Sequence, residues 1–303
     1  MLIDTQDKKI KEEGERMVPS FHKGAIVYGE HIVRYESILP LLNGKTVLDI
    51  AAGSGYGSYI LAGAAKKVYG VEIDEEAVAY ARRNYARRNI EFKQGSAEAI
   101  PLEDHSVDVV VTFETIEHIE DYRKFMSEIK RVLKPDGFAL ISTPNDLEFP
   151  EGNHFHLHEF TQDELEGMVK DYFKNCKFTY QYTWLYTAVT TETEAGKEGP
   201  LTIETMNVAP VPKEKAIYFM AICSDLSVAK LNTRLVGAIS EHWSARQQQD
   251  KERSIESERA SLWKEINNLR GDLQKIQSSR GWSMIQRLYR IKHILTGYRQ
   301  KSR

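Results

Sequence analysis

Short apolar runs alternate with longer amphipathic segments between residue 46 and about residue 145. The apolar runs predict β-strands, and the segments between them predict helices. The predicted strands cover 46–50, 68–72, 90–92, 107–113 and 138–142, and the predicted helices cover 56–65, 75–88 and 121–133. Alternation at this spacing is typical of an α/β fold with a doubly wound, mostly parallel sheet of the Rossmann-like kind.

The segments on either side complete this predicted domain. Residues 1–45 predict an N-terminal helical cap, because apolar residues recur with helical spacing from Ile32 to Leu39. A helix over 161–172 begins with the capping pair Thr161 and Glu164. Two more strands are expected in 173–224, which gives seven strands and a domain over 46–228. The polar segment 190–200 between those strands is either a loop over the site or a surface insertion.

The chain beyond this domain has a different pattern. Ile255, Leu262, Leu269 and Ile276 recur every seven residues. This repeat predicts an α-helical coiled coil within an oligomerisation segment over 229–279, and it leaves dimer and trimer open. Residues 280–303 contain seven Lys or Arg and no Asp or Glu, interleaved with apolar residues. They predict a basic amphipathic tail that docks on an anionic membrane or a partner protein, or folds back on its own body.

Composition narrows the class of protein. Of 303 residues, 41% are hydrophobic and 28% are charged, which is typical of a soluble protein. No apolar run approaches the ~20 residues that span a bilayer, and the N-terminus lacks a signal-peptide core, so we expect a cytoplasmic protein. The basic residues cluster at one end, which argues against nucleic-acid binding. Cys176 and Cys223 fit no metal or redox spacing, and we interpret them as reduced thiols.

A glycine-rich turn carries the main chemical signal. Asp49 lies near the end of the first predicted strand, and Gly53, Gly55 and Gly57 follow it. Glycines let a bulky ligand approach the backbone. Glu72 ends the second strand, where a carboxylate accepts hydrogen bonds from ribose hydroxyls. The two features predict a nucleoside-containing cofactor. The spacing Gly-x-Gly-x-Gly differs from the Gly-x-Gly-x-x-Gly of nicotinamide dehydrogenases, which makes a dehydrogenase a distant alternative.

Four motifs stand in order over residues 45–145: the glycine loop, the strand ending at Glu72, the turn 94–102 and the strand with its following turn, 107–119. This ordered set resembles the class I S-adenosylmethionine-dependent methyltransferases. The resemblance implies S-adenosylmethionine as cofactor. It places Asp49, Gly53 and Gly55 at the methionine portion, Glu72 at the ribose, Ile73, Ser96, Ala97 and Glu98 around the adenine, and Phe113 and Glu114 near the methyl donor.

Two arginines are further cofactor candidates. The resemblance extends to an N-terminal block that contains Arg16 and to a helix that contains Arg34. Either guanidinium is suited to pair with the methionine carboxylate through two hydrogen bonds. The alternative for each is an ordinary surface arginine.

The identity of the acceptor decides which further groups are needed. A sugar hydroxyl needs a general base, whereas a phosphate needs cationic groups instead. His118, just past the fourth strand, and His156, after the fifth, are the candidate bases. Histidines at 154, 156 and 158 would share one face of a strand, which allows a metal site. Because no carboxylate stands at ligand spacing, the sequence-based prediction contains no metal.

A second resemblance concerns the acceptor. Residues 14–19, 30–35, 113–118 and 153–160 are similar to segments of methyltransferases of bacterial surface-polysaccharide assembly, although His154 stands where that family commonly has proline. Some of those relatives cap a growing O-antigen chain with a methyl group and carry a coiled coil.

This second resemblance implies an O-methyltransferase that methylates the non-reducing terminal sugar and so ends chain extension. It also implies a homo-oligomer, with trimer favoured over dimer. It further implies a glycosyltransferase partner for 280–303, or a peripheral position at the inner face of the membrane. Two alternatives stay open: a methyltransferase for a small molecule or a lipid-linked metabolite, and a non-catalytic scaffold that organises glycosyltransferases.

Overall fold

The structure is a computed structural model that describes residues 16–22, 25–148, 155–183 and 211–238, together with individual helical positions between 259 and 291. The chain divides into two compact units, Met1–Glu241 and His242–Arg303.

The first unit is built on a seven-stranded sheet. Its strands are β1 (Thr46–Ile50), β2 (Lys67–Glu72), β3 (Ile90–Gln94), β4 (Val107–Phe113), β5 (Leu133–Pro144), β6 (Asn175–Gln181) and β7 (Tyr218–Ser224). Their order across the sheet is β3-β2-β1-β4-β5-β7-β6. The first five strands run parallel, and β7 is antiparallel to both of its neighbours. The order reverses direction between β1 and β4, where open parallel sheets bind ligands at the carboxyl ends of their strands.

In the described ranges of this unit, six helices accompany the sheet: α1 (Pro19–His22), α2 (Ile26–Ile38), α3 (Tyr56–Leu61), α4 (Glu75–Asn84), α5 (Tyr122–Val132) and α6 (Gln162–Lys170). Short 3-10 turns occupy Leu39–Leu41, Ile116–His118 and Lys213–Lys215. The helices predicted over 56–65 and 75–88 end earlier than expected, at Leu61 and Asn84. The predicted capping pair is confirmed, because Thr161 and Glu164 exchange side-chain to backbone hydrogen bonds at the start of α6.

Helices cover both faces of the sheet, which confirms the doubly wound arrangement. One core cluster joins residues of α2, α3 and α4 to one face, including Tyr35 and Leu61. The other joins α5 and α6 to the opposite face, including Phe125 and Leu165. Because both faces are covered, every residue of β4 except Asp108 is buried, as its nearly continuous apolar sequence predicts.

The fifth strand begins earlier than predicted, at Leu133 instead of residue 138. Leu133 lies opposite Val107, and the next paired residue, Phe138, lies opposite Val109. The residues between them bulge out of register. The prediction of a turn around Pro135 is therefore wrong: these residues belong to the strand and form a bulge in it.

The two cysteines are neighbours in the sheet. Cys176 on β6 lies opposite Cys223 on β7, with their Sγ atoms 3.4 Å apart. Both are free thiols, as predicted. Because the two cysteines are far apart in the sequence, their proximity was not predicted. The pairing of β6 with β7 creates it.

The second unit is helical at its described positions. Leu262, Ile266 and Leu269 lie on this helical segment, and each has at least 41% of its surface exposed. Ile255 and Ile276, the ends of the heptad repeat, lie outside the described residues, as does the segment 190–200. The coiled coil and its oligomer therefore stay predictions. Among the helices that the structure describes, none is both long enough and apolar enough to cross a bilayer.

Candidate functional site

Asp49 fixes the turn that follows β1. Its side chain is buried, and it accepts hydrogen bonds from Ser58 Oγ at 2.6 Å and from Tyr35 Oη at 3.4 Å. Burial, together with the charge of Glu72, raises the pKa of this carboxyl to about 7. Asp49 thereby ties α2 and α3 to the end of the central strand.

The three glycines of the loop differ in what a Cβ atom at each position would contact. Gly53 has a φ of +55°, and a Cβ built there would meet only Arg16 Cγ, at 3.8 Å. At Gly55 a Cβ would lie 2.5 Å from the Cβ of Ala81, and at Gly57 it would lie 2.2 Å from Tyr35 Cζ. Internal packing therefore requires the last two glycines. The sequence-based interpretation that the glycines make room for a ligand therefore stays a prediction for Gly53 and is not needed to explain Gly55 and Gly57.

Glu72 lies where the predicted ribose-binding carboxylate should be. Its Oε2 accepts a hydrogen bond from the Gly53 N–H at 2.9 Å, and its Oε1 accepts one from the Asp74 N–H at 3.1 Å. A carboxylate has about four lone-pair directions, so these bonds leave acceptor capacity for hydroxyl groups. Ile73 beside it is 66% exposed and offers an apolar surface at the same sheet edge. Arg16 pairs with Asp74 at 2.9 Å.

The predicted adenine-side residues lie at the ends of two adjacent strands. Glu72 of β2 pairs with Gln94 of β3, and the turn containing Ser96, Ala97 and Glu98 follows directly. Within this turn, Ser96 Oγ accepts a hydrogen bond from the Glu98 N–H at 3.1 Å. Ala97 is buried. The strand pairing thus brings these residues beside Glu72, as the resemblance implies.

Arg34 is a buried cation at the carboxyl ends of β4 and β5. It forms an ion pair with Glu114, and its guanidinium lies 4.2 Å from the centre of the Tyr218 ring. Its Nη2 has no hydrogen-bond partner in the part of the chain that the structure describes. Only 4% of Arg34 is exposed, which excludes the alternative of an ordinary surface arginine. Phe113 precedes Glu114 and packs edge-on against Tyr35, with ring centroids 5.0 Å apart.

These features test whether the site suits S-adenosylmethionine. Gly53 has open space where a Cβ would stand, Glu72 has spare acceptor capacity, and Arg34 has a buried donor without a partner among the described residues. A nucleoside bearing an amino acid presents ribose hydroxyls and a carboxylate. The residues therefore fit this cofactor, with Glu72 for the hydroxyls and Arg34 for the carboxylate.

The two predicted catalytic histidines lie together. The rings of His118 and His156 are 5.0 Å apart between centroids, although 38 positions separate the residues in the chain. His118 Nδ1 hydrogen-bonds the Phe155 carbonyl oxygen at 2.9 Å, and His156 Nδ1 contacts Glu159 Oε1 at 3.4 Å. These contacts hold both rings past β4, at whose end Phe113 and Glu114, the residues that the resemblance places near the methyl donor, also lie.

Glu117 is a site residue that sequence reasoning missed. It is buried, and one of its oxygens accepts a hydrogen bond from Thr143 Oγ1 at 3.1 Å. The other oxygen, Oε1, has no hydrogen-bond partner within the described ranges. Burial, followed by the charge of Glu114, raises the pKa of Glu117 well above its ordinary range. In the sequence, the one available signal for Glu117 as a site residue was its position directly before the candidate base His118.

The expected strand face of alternating histidines does not form. Residues 155–159 adopt no strand, and His158 packs edge-on against Tyr122 instead of facing His156. His154 lies outside the described residues. The histidine run has no carboxylate at ligand spacing in the sequence. In the structure, Glu117 on a different segment lies close to His156.

A surface groove adjoins these residues. It has a volume of about 560 Å³ and shares His158 and Glu159 with a small cavity that Glu117 and His156 line. Tyr122, Tyr172 and the carboxylates of Glu164 and Asp171 are among the other groups along it. This volume falls in the range of pockets that bind small organic molecules.

Comparisons with known proteins agree with this geometry. Residues 48–141 match the family described as methyltransferase domain. The chain is 38% identical over 162 residues to a probable S-adenosylmethionine-dependent methyltransferase of Mycolicibacterium smegmatis, covering 52% of this chain and 62% of that protein. It is 38% identical to one of Mycobacterium tuberculosis, with 52% and 59% covered. It is 35% identical to a demethylmenaquinone methyltransferase of Chlorobaculum parvum, with 45% and 55% covered.

The chain spans about three fifths of the length of the first of these relatives, and the matched region contains the sheet edge where Asp49, Glu72 and Glu114 lie. Three structural observations agree with these comparisons: the strand order, the glycine loop, and the fit of Glu72 and Arg34 to the cofactor. Residues 48–141 therefore match a methyltransferase domain, and the two relatives at 38% identity are named as probable S-adenosylmethionine-dependent methyltransferases.

Proposed function

We propose that this protein is an S-adenosylmethionine-dependent O-methyltransferase whose acceptor is a sugar hydroxyl of a bacterial surface polysaccharide. The cofactor supplies a methyl group activated by its bond to a sulfonium sulfur. The observation that carries the proposal is the groove, which shares His158 and Glu159 with the small cavity that Glu117 and His156 line.

The cofactor side of the site works by positioning. Glu72 orients the ribose, and Arg34 orients the carboxylate of the amino-acid portion. Fixing both ends of the cofactor determines where the methyl group lies relative to the acceptor. Alignment of this kind supplies roughly 7–11 kcal/mol of rate acceleration in favourable cases.

The acceptor side must receive a proton. The acceptor oxygen forms a bond to the methyl carbon while the bond between that carbon and sulfur breaks. The electron pair of the broken bond stays on the sulfur. The hydroxyl proton passes to a base on the protein. That His156 or His118 is this base stays a prediction, supported by their adjacency past the end of β4.

The groove supports a glycan acceptor by its chemistry. Tyr122 and Tyr172 offer aromatic rings that pack against the apolar faces of sugars. Glu164 and Asp171 offer carboxylates that accept hydrogen bonds from hydroxyls. The groove is open to solvent at one side of α6, which suits the end of a polymer. We therefore propose methylation of the non-reducing terminal sugar, which blocks further extension.

The second unit has exposed apolar residues that support a proposal about oligomerisation. Leu262, Ile266 and Leu269 form an apolar stripe at positions i, i+4 and i+7, and all three are exposed. We propose that this stripe joins copies of the chain in a coiled-coil homo-oligomer, with a trimer favoured over a dimer. The basic tail 280–303 would then contact a glycosyltransferase or the inner face of the membrane. Sedimentation of the full chain and of a Leu269→Lys variant tests the assembly: a trimer that falls to monomer supports it, and a monomeric wild type contradicts it.

The decisive experiment offers the acceptor directly. Purified surface glycans with different terminal residues are incubated with methyl-labelled cofactor, and the products are identified by mass spectrometry. One methyl group per chain, at the terminal sugar, supports the proposal. A Tyr172→Ala variant should lose transfer while keeping cofactor binding. Cofactor binding without transfer to any acceptor would favour the non-catalytic scaffold.

A second candidate rests on one of the relatives. The chain matches a demethylmenaquinone methyltransferase at 35% identity, which favours a quinone or lipid-linked acceptor. This candidate predicts turnover on demethylmenaquinone dispersed in detergent and no requirement for residues 280–303. Turnover on glycans and none on the quinone would exclude it.

A further inference from the structure

We propose that Glu117, His118 and His156 bind a first-row divalent transition-metal cation. Each residue offers one ligand atom, and these atoms all lie within 4.8 Å of one another. Ligand atoms at about 2.1 Å from a shared cation lie about 3–4 Å apart, so modest rotations of the three side chains suffice. No other group of three such residues is this close in the described part of the chain.

Glu117 carries the strongest indication of a ligand. It is 1% exposed, and its Oε1 has no hydrogen-bond partner among the residues described. A buried carboxylate oxygen without a partner is costly, and native proteins rarely keep one without a reason. A cation beside this oxygen removes that cost, because it replaces the missing hydrogen bond with a stronger electrostatic contact.

The histidines have the outer contacts that metal ligands commonly have. Nδ1 of His118 meets the Phe155 carbonyl, and Nδ1 of His156 meets the Glu159 carboxylate. When Nδ1 carries the proton in such a contact, the lone pair of the ring is on Nε2. A carboxylate or carbonyl on the second ring nitrogen is the usual way proteins orient a ligating histidine.

The space beside these ligands suits a single ion. Glu117 and His156 line a cavity of about 10 Å³, to which Asp146 and Glu159 also contribute. This volume corresponds to one water-sized particle. The surrounding carboxylates add negative charge, which favours a cation over a neutral occupant.

Two imidazoles with one carboxylate define the class of metal. Imidazole favours zinc, iron, nickel and copper over magnesium and calcium, which prefer all-oxygen sites. Three protein ligands also leave open positions on the cation. A hydroxyl of the acceptor would occupy one of them and become more acidic, and with the cation bound it would lose its proton to solvent instead of to His118 or His156. That last effect rests on the proposed function, whereas binding of the cation does not.

The test measures binding in the absence of cofactor and acceptor. Chelator-treated full-length protein is titrated with Mn²⁺, with free Mn²⁺ followed by electron paramagnetic resonance, and with Zn²⁺ by calorimetry. We expect one saturable site per chain. His156→Ala and Glu117→Gln should each weaken binding at least about tenfold. His105→Ala removes a histidine that lies outside this cavity and contacts the Leu133 carbonyl oxygen, so it is the control and should bind as the wild type does.

Two outcomes would overturn the proposal. One is that the wild type shows saturable binding of neither Mn²⁺ nor Zn²⁺. The other is equal binding by wild type, His156→Ala and Glu117→Gln, which would mean that the ion binds elsewhere. If Glu117→Gln does not fold, His156→Ala decides. Methyl transfer is assayed separately, with and without chelator, so a protein that binds the ion but transfers no methyl group contradicts the proposed function and leaves the metal site standing.

Discussion

Arg34 and Glu114 form an ion pair buried at the carboxyl ends of β4 and β5. Ser142 Oγ donates a second hydrogen bond to Glu114 Oε1 at 2.7 Å. Glu114 itself has a φ of +53°, the left-handed region that non-glycine residues adopt at an energetic cost. The pair therefore combines a buried guanidinium and a half-buried carboxylate with a strained backbone, directly beside the predicted methyl-transfer position.

Removing one charge of this pair should destabilise the fold. Glu114→Gln keeps the size of the side chain but removes the carboxylate that pairs directly with the buried Arg34 guanidinium. We expect the free energy of unfolding to fall by about 3–5 kcal/mol, measured by urea denaturation. Lys67→Ala breaks the exposed pair between Lys67 and Glu91 and serves as the control, with an expected loss below about 1 kcal/mol. Equal losses in the two variants would mean that burial does not govern the Arg34 pair.

Asp49 predicts a pH dependence of stability in the ligand-free protein. Burial raises its pKa from 3.8 to about 7, so between these values the folded state holds a proton that the unfolded state releases. The contribution of Asp49 to stability is therefore greatest at low pH and is lost as pH rises through about 7.

An Asp49→Asn variant should lack this part of the pH dependence. Urea denaturation at several values between about pH 4 and pH 8 should show the wild type losing stability relative to the variant as pH increases. Parallel curves for the two proteins would contradict the assignment. The comparison is made in the absence of cofactor, because ligand binding changes the environment of this carboxyl.

Ala51 lies in the left-handed region with a φ of +59°, in the turn after β1. A left-handed alanine costs roughly 1–2 kcal/mol, and glycine avoids that cost but loses more entropy on folding. Ala51 is exposed, so its methyl group contributes no buried area. Ala51→Gly should therefore raise the free energy of unfolding by up to about 1 kcal/mol. Ala52→Gly, at the buried neighbouring position, should lower it, and a loss in both variants would refute the strain.

Two glycines in helices should respond oppositely to alanine. A Cβ at Gly57 in α3 would lie 2.2 Å from Tyr35 Cζ, so Gly57→Ala should destabilise the protein by about 1–3 kcal/mol or more. A Cβ at Gly167 in α6 meets nothing within 4 Å, so Gly167→Ala should stabilise it by about 0.5–1 kcal/mol. Thermal unfolding of both variants checks the contrast. A stable Gly57→Ala protein would show that Tyr35 moves freely.

Most of the sheet could be predicted from the sequence because its signals are local. The apolar run of β4, the glycine loop after β1 and the capping pair Thr161 and Glu164 each depend on neighbouring residues alone. Element ends were less predictable. The end of α3 at Leu61 and the bulge within β5 depend on how strands and helices pack.

The parts of the site that were missed depend on contacts between distant segments. Nothing in the sequence shows that Glu117 and His156 lie together, because the segment after β5 determines that contact. Likewise the need for glycine at position 57 comes from Tyr35 on another helix. Arg34 was predicted to bind the cofactor, but its pairing with Glu114 was not, because that pairing joins α2 to β4.

The hydrogen bonds that Glu72 accepts from the N–H groups of Gly53 and Asp74 have a kinetic consequence. They hold the glycine loop and the segment after β2 against one another before any ligand arrives. An incoming nucleoside then finds this half of its binding surface already rigid and loses little affinity to loop ordering. Exchange of spent for fresh cofactor is consequently governed by diffusion and by contacts elsewhere, without a folding step in this loop.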